Sequence, residues 1–442
     1  MLVYFHIDEI ARDAIVASAL KKALRAEGGT LVYGNRFCMR LLQYLNVFDA
    51  VILPAIDFYM YCFPDVTRLP DNVVVMPTEA VGQATGRLRR INAKYFGADE
   101  QRCEPWHKSV GCYLLWGYAH LTPFREFHPE YLDKCEVVGH PRLAKECISP
   151  ARSRRGEKPV VGIVSRFSML NTFDKRSNFS AVYLGMKTPG QVRVMFENSP
   201  DCDVEDLLYT EAVDLRILLQ VMRAIDHDRF EISIRVHPRE DRIQWQHFIK
   251  KHGFSASVAE WDEPFSAWLS GVDYVVAPPS TSFYDIFAHG KRPICIRDIV
   301  SHRANHVLTE SDDNNEIMNY VFQPRSVAEI ITAIETETVP YDSAGVEAVL
   351  EGQTALSIAH DSIGNIVRRL AKMKRRQLRP KDRVIRVLVL PVVALGVVGF
   401  AYIQHLRALL FRGGEQGSTF SLTLGRIRMI NQLSDKVLSR KS

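Results

Sequence analysis

The sequence predicts an α/β protein with two Rossmann-like domains and a C-terminal helical, membrane-associating tail. Short apolar strand-like runs alternate with amphipathic helices up to about residue 150, and a second such series begins near residue 159. A long apolar stretch follows a basic run near the C-terminus. Strands that alternate with helical patterns favour βαβ units and parallel sheets. The 442 residues suffice for two domains of ordinary size plus an appendage.

The first 150 residues predict one parallel, doubly wound domain. A strand at 1–7 leads into an amphipathic helix at 9–26, which Gly28-Gly29 ends before a second strand at 30–33. Further strand-like runs lie at residues 50–54, 72–76, 111–116 and 136–138. Helical stretches separate them, as in a sheet covered by helices.

A polar, basic stretch at residues 149–158 has the composition of a linker. A strand at 159–164, a long loop and a helix from 207 to 225 begin the second series. It continues with a strand, a helix and two more strands at 230–236, 243–252, 274–277 and 293–296. This order predicts a second Rossmann-like domain over residues 151–345, with a cleft between the two domains.

Beyond these domains, residues 346–383 are predicted to form a helical and basic linker. A dense run of cations begins near its end: Lys372, Lys374, Arg375, Arg376, Arg379, Lys381, Arg383 and Arg386. Such a run is attracted to anionic headgroups, so we expect it to contact the inner-membrane surface.

Residues 384–442 comprise the predicted apolar membrane-associating segment and a basic tail. Within 384–410, the uncharged core 387–403 is about 17 residues long, the short limit for a spanning helix. The proline and glycines of this core are tolerated in membrane helices. A buried core helix is the alternative. The positive-inside rule would place the globular domains on the cytoplasmic face of the inner membrane.

The net charge of +5 is concentrated in the basic run, and the rest of the chain is nearly neutral. A uniformly basic surface for nucleic acid is therefore not indicated, and no nucleic-acid-binding motif is present. The eight cysteines are scattered without a Cys-x-x-Cys pair, as in proteins that keep reduced thiols.

Two polar motifs follow strand-like runs of the second predicted domain. His237 and Arg239 come at the end of the run 230–236. The run 274–277 is followed by three hydroxyl residues where a helix is predicted to begin: Ser280, Thr281 and Ser282. Carboxyl ends of parallel strands and free N–H groups at helix starts both favour phosphate binding. Together the motifs predict a pocket for nucleotide phosphates, whereas each alone also fits an ordinary turn or N-cap.

This arrangement resembles the nucleotide-binding half of GT-B glycosyltransferases that use CMP-activated sugars, such as bacterial sialyl- and Kdo-transferases. It is also similar to that of the CDP-glycerol polymerases of teichoic acid synthesis. In those families a His-Pro motif and a Ser-Ser or Ser-Thr motif hold the donor phosphates. The resemblance implies a GT-B-like fold, in which His237, Arg239 and the three hydroxyl residues bind the donor.

Residues 1–330 also resemble bacterial proteins described as surface carbohydrate biosynthesis proteins. The motifs that carry this resemblance are Asp8-Glu9-Ile10-Ala11-Arg12-Asp13, Trp116-Gly117, Val138-Gly139-His140-Pro141-Arg142 and Ser165-Arg166-Phe167-Ser168-Met169-Leu170-Asn171. That family more usually has Asn at the position of His140 and Glu at the position of Asp285. These departures leave the identity of the donor open.

Sugar transfer needs a carboxylate to accept the proton of the acceptor hydroxyl, and cations or N–H dipoles to stabilise the departing phosphate. Glu79 follows a predicted strand end where the resembled families carry an acidic, glycine-containing motif, so we predict that it is the catalytic base. A helix-capping or surface role is the alternative. His237 is predicted to bind a phosphate oxygen or to protonate it as it leaves.

Further candidates flank these groups. Asp285 is placed to accept hydrogen bonds from ribose or base, or to cap the helix. Asn171, in a long polar loop, either reaches the donor or only shapes the turn. Acceptor contacts are predicted for three residues at the first strand-to-helix turn, which equally fit surface positions at a helix start: Asp8, Glu9 and Arg12. No metal-ligand spacing lies near these segments, so we predict no metal and no cofactor.

The leading hypothesis is a GT-B-type, metal-independent glycosyltransferase of capsule or lipopolysaccharide biosynthesis. Its partners would be a nucleotide-sugar donor, with a CMP-sugar favoured, and a polysaccharide or lipid-linked acceptor that explains the apolar tail. Two alternatives remain. One is a nucleotide-sugar 2-epimerase, and the other is a non-catalytic scaffold of polysaccharide assembly.

Overall fold

The structure, a computed structural model, describes residues 1–7, 10–34, 47–77, 95, 100–149, 158–168, 170–171, 204–238, 240–260, 263–299, 316–373 and 384. The described residues form two compact units. Those up to Ile148 and from Glu351 onward belong to the first unit, and those from Ser149 to Leu350 to the second.

The first unit contains a six-stranded sheet in the order β2-β1-β3-β4-β5-β6. Its strands are β1 (Leu2–His6), β2 (Thr30–Gly34), β3 (Ala50–Leu53), β4 (Val73–Val75), β5 (Val110–Leu115) and β6 (Cys135–Val137). All neighbouring strands are parallel. β1, β3 and β4 are buried along their whole length, as expected for parallel strands between helical layers. The predicted parallel α/β sheet is therefore confirmed.

Helices connect these strands: α1 (Ile10–Ala26), α2 (Ile56–Cys62), α3 (Glu100–Ser109) and α4 (Thr122–Phe127). α1 ends as the sequence predicted. Gly28 has a φ of +69°, which a residue with a side chain rarely adopts. The Gly29 N–H donates to the Leu24 carbonyl at 2.7 Å, so the last turn of the helix is closed by the glycine pair.

The second unit contains a five-stranded parallel sheet in the order β11-β10-β7-β8-β9. Its strands are β7 (Val160–Val164), β8 (Glu231–Arg235), β9 (Ala256–Val258), β10 (Tyr274–Ala277) and β11 (Pro293–Cys295). This is the strand order of a Rossmann sheet. The sequence did not predict β9, because this short strand at the edge of the sheet lacks an apolar run.

Helices of the second unit are α5 (Val204–Ala224), α6 (Arg242–His252), α7 (Phe265–Ser270), α8 (Ser282–Ala288) and α9 (Val327–Glu335). The core includes Ile163 of β7, Leu218 of α5, Ile234 of β8 and Ile294 of β11. Asp241 caps α6 by accepting a hydrogen bond from the Ile243 N–H at 2.9 Å.

Three helices follow: α10 (Ser343–Thr354), α11 (Leu356–Ala359) and α12 (Ser362–Lys372). α12 buries one face in the core of the first unit together with Leu20 and Leu24 of α1. The buried residues of that face are spaced as on an amphipathic helix: Ile363, Ile366, Val367 and Leu370. The part of the predicted linker from Glu351 to Met373 thus belongs to the first unit.

Hydrogen bonds hold these C-terminal helices against the segment that follows β6. The His140 N–H donates to the Thr354 carbonyl at 2.9 Å, and the Ser362 hydroxyl donates to the Gly139 carbonyl at 2.8 Å. A Cβ at Gly139 would lie 2.7 Å from the Ala359 Cα. The Gly139-His140-Pro141-Arg142 motif therefore forms part of the surface against which these helices pack.

The predicted membrane-associating segment 384–410 lies outside the described residues except for residue 384, as does most of the basic run. Within the described ranges, no helix is both long and apolar enough to span a membrane.

Candidate functional site

The candidate site lies in the second unit, at the carboxyl ends of β7, β8 and β10. β7 lies between β10 and β8 in the sheet, so the strand order reverses around it. In open α/β sheets, ligands bind in the crevice at such a reversal. The residues that follow these three strands include both motifs for which the sequence predicted phosphate binding.

The backbone of His237, two residues after the end of β8, is fixed on both sides. Its N–H donates to the Ser165 hydroxyl oxygen at 3.0 Å, and its carbonyl accepts from the Glu240 N–H at 2.9 Å. The side chain is half-buried. The loop after β7 therefore directly fixes the predicted phosphate-binding histidine.

The hydroxyl residues after β10 are joined to one another. The Ser280 hydroxyl oxygen accepts from the Ser282 N–H at 3.1 Å and lies 2.8 Å from the Ser282 hydroxyl oxygen. Thr281 is exposed at the N-cap position of α8. Ser280 thus accepts the N–H of Ser282, the first residue of α8, and the contact between their hydroxyls orients the Ser282 hydroxyl group.

Arg166, directly after β7, bridges two of the three loops. Its Nη1 atom donates to the Pro279 carbonyl at 2.6 Å, immediately before the hydroxyl residues. The guanidinium group carries five N–H donors and a permanent positive charge. The sequence contained Arg166 within a motif, but only the structure places its charge beside the loop after β10.

Glu240 is a site residue that the sequence analysis did not identify. Glu240 is 3% exposed, and its carboxylate accepts hydrogen bonds from the Ser165 hydroxyl at 2.9 Å, the Phe167 N–H at 2.8 Å and Trp245 Nε1 at 2.8 Å. Burial raises the pKa of this carboxyl, and these hydrogen bonds oppose the rise. Glu240 stands in a polar stretch of the sequence that is typical of an exposed turn, so the sequence did not indicate its burial.

The structure describes two further residues that were predicted to contact the donor, Asn171 and Asp285. Asn171 Nδ2 donates to the Asp241 carbonyl at 3.0 Å, and the Asn171 carbonyl accepts from the Asp241 N–H at 3.0 Å. Asn171 thus shapes the loop after β7. Asp285 is 6% exposed within α8. Their contacts with a donor remain predictions.

Of the residues predicted in the first domain, the structure describes Arg12. Its Nε atom pairs with the Asp13 carboxylate at 3.0 Å, and Asp13 is 3% exposed. Four other predicted site residues lie outside the described residues: Asp8, Glu9, Glu79 and Arg239. β4, which leads toward Glu79, lies between β3 and β5 in the sheet. The roles of all five remain predictions.

In the described part of the chain, no group of three or more His, Cys, Asp and Glu side chains is arranged to hold a metal ion.

No protein-family model matches the sequence, and no curated protein matches it. The structure is similar to that of a variant of the wall teichoic acid polymerase TagF, with a TM-score of 0.50 and 10% identity over 84% of this chain and 87% of that chain. A UDP-GlcNAc 2-epimerase from Neisseria meningitidis bound to UDP-GlcNAc gives a TM-score of 0.44 and 12% identity, over 84% of this chain and 99% of that chain.

The likeness to the polymerase concerns the fold alone, because the two sequences have so little identity. With the two parallel sheets, it supports the predicted GT-B-like α/β fold. The predicted relation to CMP-sugar transferases remains a hypothesis.

Proposed function

We propose that this protein is a glycosyltransferase that moves a sugar from a nucleotide-activated donor to a surface polysaccharide or a lipid-linked acceptor. The observation that supports this proposal is the junction of three loops at the strand-order reversal of the second sheet. There the Ser165 hydroxyl accepts from His237, and Arg166 donates to Pro279. A histidine, an arginine and hydroxyl groups at this position suit a nucleotide diphosphate or an activated monophosphate.

Each of these groups has a role in the proposed reaction. His237 would bind a phosphate oxygen, or protonate it as the nucleotide leaves. Arg166 and Arg239 would supply positive charge, and the hydroxyls of Ser280 and Ser282 would donate hydrogen bonds. These interactions strengthen as negative charge develops on the leaving phosphate, and this difference lowers the barrier. We favour a CMP-sugar as donor because of the resemblance of the motifs.

The base and the acceptor belong to the first domain in this proposal. Glu79 would accept the proton of the acceptor hydroxyl without a metal ion. Asp8, Glu9 and Arg12 would contact the acceptor. A lipid-linked acceptor would suit a location on the cytoplasmic face of the inner membrane, with the C-terminal segment as the attachment.

Nucleotide binding tests this proposal against its alternatives. Each of CMP, CDP, UMP and UDP would be added at saturation and the thermal stability measured. A ligand at about 100 times its dissociation constant adds roughly 2.7 kcal/mol of stability. We expect stabilisation by a cytidine nucleotide. Preference for UDP would favour a 2-epimerase, and a scaffold would bind none of the four.

His237→Ala is expected to weaken nucleotide affinity at least about tenfold, because a hydrogen bond to a charged phosphate contributes roughly 1.5 to 3 kcal/mol. Isothermal titration calorimetry with the stabilising nucleotide would measure the change. His247→Ala, at an exposed position on α6, is the matched control and should leave affinity unchanged. Wild-type affinity and turnover in folded His237→Ala would remove this residue from the site.

Truncation tests the proposed membrane attachment. A chain that ends at Pro380 retains α12 and every described residue of both units except Val384, so it should be soluble and bind nucleotide normally. Transfer to a short soluble acceptor should persist, while transfer to a lipid-linked acceptor in vesicles should fall. The basic run contributes about 1 kcal/mol per residue near an anionic surface, so high salt should release the full chain only if the apolar segment is not inserted. Aggregation of the truncated chain would instead identify the segment as a core helix.

A further inference from the structure

A continuous series of hydrogen bonds connects His237 to a buried carboxylate. The His237 N–H donates to the Ser165 hydroxyl oxygen at 3.0 Å. The Ser165 hydroxyl in turn donates to the Glu240 carboxylate at 2.9 Å. The Glu240 N–H donates to the His237 carbonyl at 2.9 Å, which closes the turn between these two residues. Both polar backbone groups of His237 are thus held by this one small network.

The direction of the Ser165 hydroxyl depends on Glu240. This hydroxyl has a single proton and two acceptors within reach, the Glu240 carboxylate at 2.9 Å and the Arg235 carbonyl at 3.4 Å. The carboxylate is closer and carries charge, so it takes the proton. A lone pair of the hydroxyl oxygen then remains directed at the His237 N–H. Loss of the carboxylate would let the hydroxyl turn toward the strand carbonyl.

The carboxylate itself is held rigidly. Glu240 also accepts hydrogen bonds from the Phe167 N–H in the loop after β7 and from Trp245 Nε1 on α6, each at 2.8 Å. A buried carboxylate is costly unless it is fully hydrogen-bonded, so its position is tightly specified by these donors. It therefore fixes the loop after β8 relative to the loop after β7.

We infer that Glu240 is a positioning residue that sets the placement of His237 for the donor phosphate, acting through the Ser165 hydroxyl. This inference rests on the proposed function, since it assigns His237 a nucleotide phosphate as ligand. Glu240 itself is too buried to touch the ligand, and Ser165 is 1% exposed. Their effect on binding must therefore pass through residues that reach the ligand, and the Ser165 hydroxyl is bonded directly to the His237 N–H.

A double-mutant cycle separates positioning from general stability. Ser165→Ala removes the link while leaving the Phe167 and Trp245 bonds to Glu240 in place. In the wild-type background it should weaken affinity for CMP or CDP about fivefold, as expected for a coupled contact. In the His237→Ala background it should change affinity less than about twofold. Glu240→Ala should show the same dependence on background.

Ser233→Ala is the matched control, because Ser233 of β8 accepts from Trp268 Nε1 at 2.9 Å and, among the described residues, shares no hydrogen bond with the His237 network. It should lower the melting temperature without changing nucleotide affinity in either background. The affinities would be measured by isothermal titration calorimetry and the folded state by circular dichroism.

Three outcomes would overturn the inference. Equal losses from Ser165→Ala in both backgrounds would mean that the serine acts independently of His237. Unchanged affinity in folded Ser165→Ala would mean that the Ser165 hydroxyl bridge between Glu240 and His237 has no effect on nucleotide binding. In both cases the wild-type chain binds nucleotide, so the proposed function survives. A wild-type chain that binds none of the nucleotides would overturn the proposed function and this inference with it.

Discussion

Glu79→Gln is expected to slow sugar transfer by about a hundredfold or more while nucleotide affinity stays nearly unchanged. The amide preserves the shape of the side chain but cannot accept the proton of the acceptor hydroxyl. Donor binding belongs to the second unit in our proposal, so affinity for the nucleotide should not depend on this residue. Transfer would be measured with the donor identified by nucleotide screening, and affinity by calorimetry.

The control for this variant is Glu27→Gln, which makes the same chemical change at an exposed position after α1. It should transfer sugar at the wild-type rate. If Glu79→Gln also retained the wild-type rate, Glu79 would not be the base. The remaining acidic candidates would then be those at the first strand-to-helix turn: Asp8, Glu9 and Asp13.

Gly117→Ala is expected to destabilise the first unit by about 3 kcal/mol or more. A Cβ at this position would lie 2.3 Å from the Gln353 carbonyl carbon and 2.4 Å from the Gly352 carbonyl oxygen. These are backbone atoms at the end of α10, so the C-terminal helices must shift to make room. Urea denaturation would measure the loss in the free energy of unfolding.

Gly352→Ala is the matched control on the other side of the same contact. Its Cβ would meet only the Ala119 Cβ, at 4.0 Å, so it adds no clash. Alanine is the better helix former by about 1 kcal/mol, so this variant should be equally or more stable than wild type. A Gly117→Ala protein with wild-type stability would show that the C-terminal helices do not depend on this close approach.

The motifs that carried the resemblance in the first domain pack against the C-terminal helices, as the close approach at Gly117 shows. Trp116-Gly117 and Gly139-His140 come after β5 and β6. In the structure they contact Gln353, Thr354 and Ala359. Burial lowers the pKa of His140, with Arg142 and His120 adding to the effect, so the imidazole is neutral at pH 7. These motifs support the docked C-terminal helices.

Most of the parallel architecture could be predicted because it depends on local patterns. Buried parallel strands are continuous apolar runs, such as Val73–Val75 and Tyr274–Ala277, and amphipathic helices repeat their apolar residues every three or four positions. The glycine pair after α1 is likewise a local signal. β9 was missed because an edge strand need not be apolar, and the docking of α12 was missed because its partner helix lies at the other end of the chain.

The residues of the candidate site also fall into two groups, those that the sequence identified and those that only the structure revealed. His237 and the three hydroxyl residues were identified because they stand directly after apolar runs, a property of neighbouring residues. Arg166, Ser165 and Glu240 were not identified as site residues because their roles depend on contacts between different loops. The carboxyl of Glu240 looks like a surface group until Phe167 and Trp245 are seen to donate to it.

The sequence alone determined the α/β class, the two series of strands and helices, and the position of the polar motifs at strand ends. Hydrophobic periodicity and turn residues encode these features within short windows. Only the tertiary structure decided the strand order, which places β7 between β8 and β10 and so brings Arg166 to Pro279 and Ser165 to His237. It also decided that residues 351–373 belong to the first unit. Such contacts join residues far apart in the chain, and their geometry follows from packing rather than from local propensity.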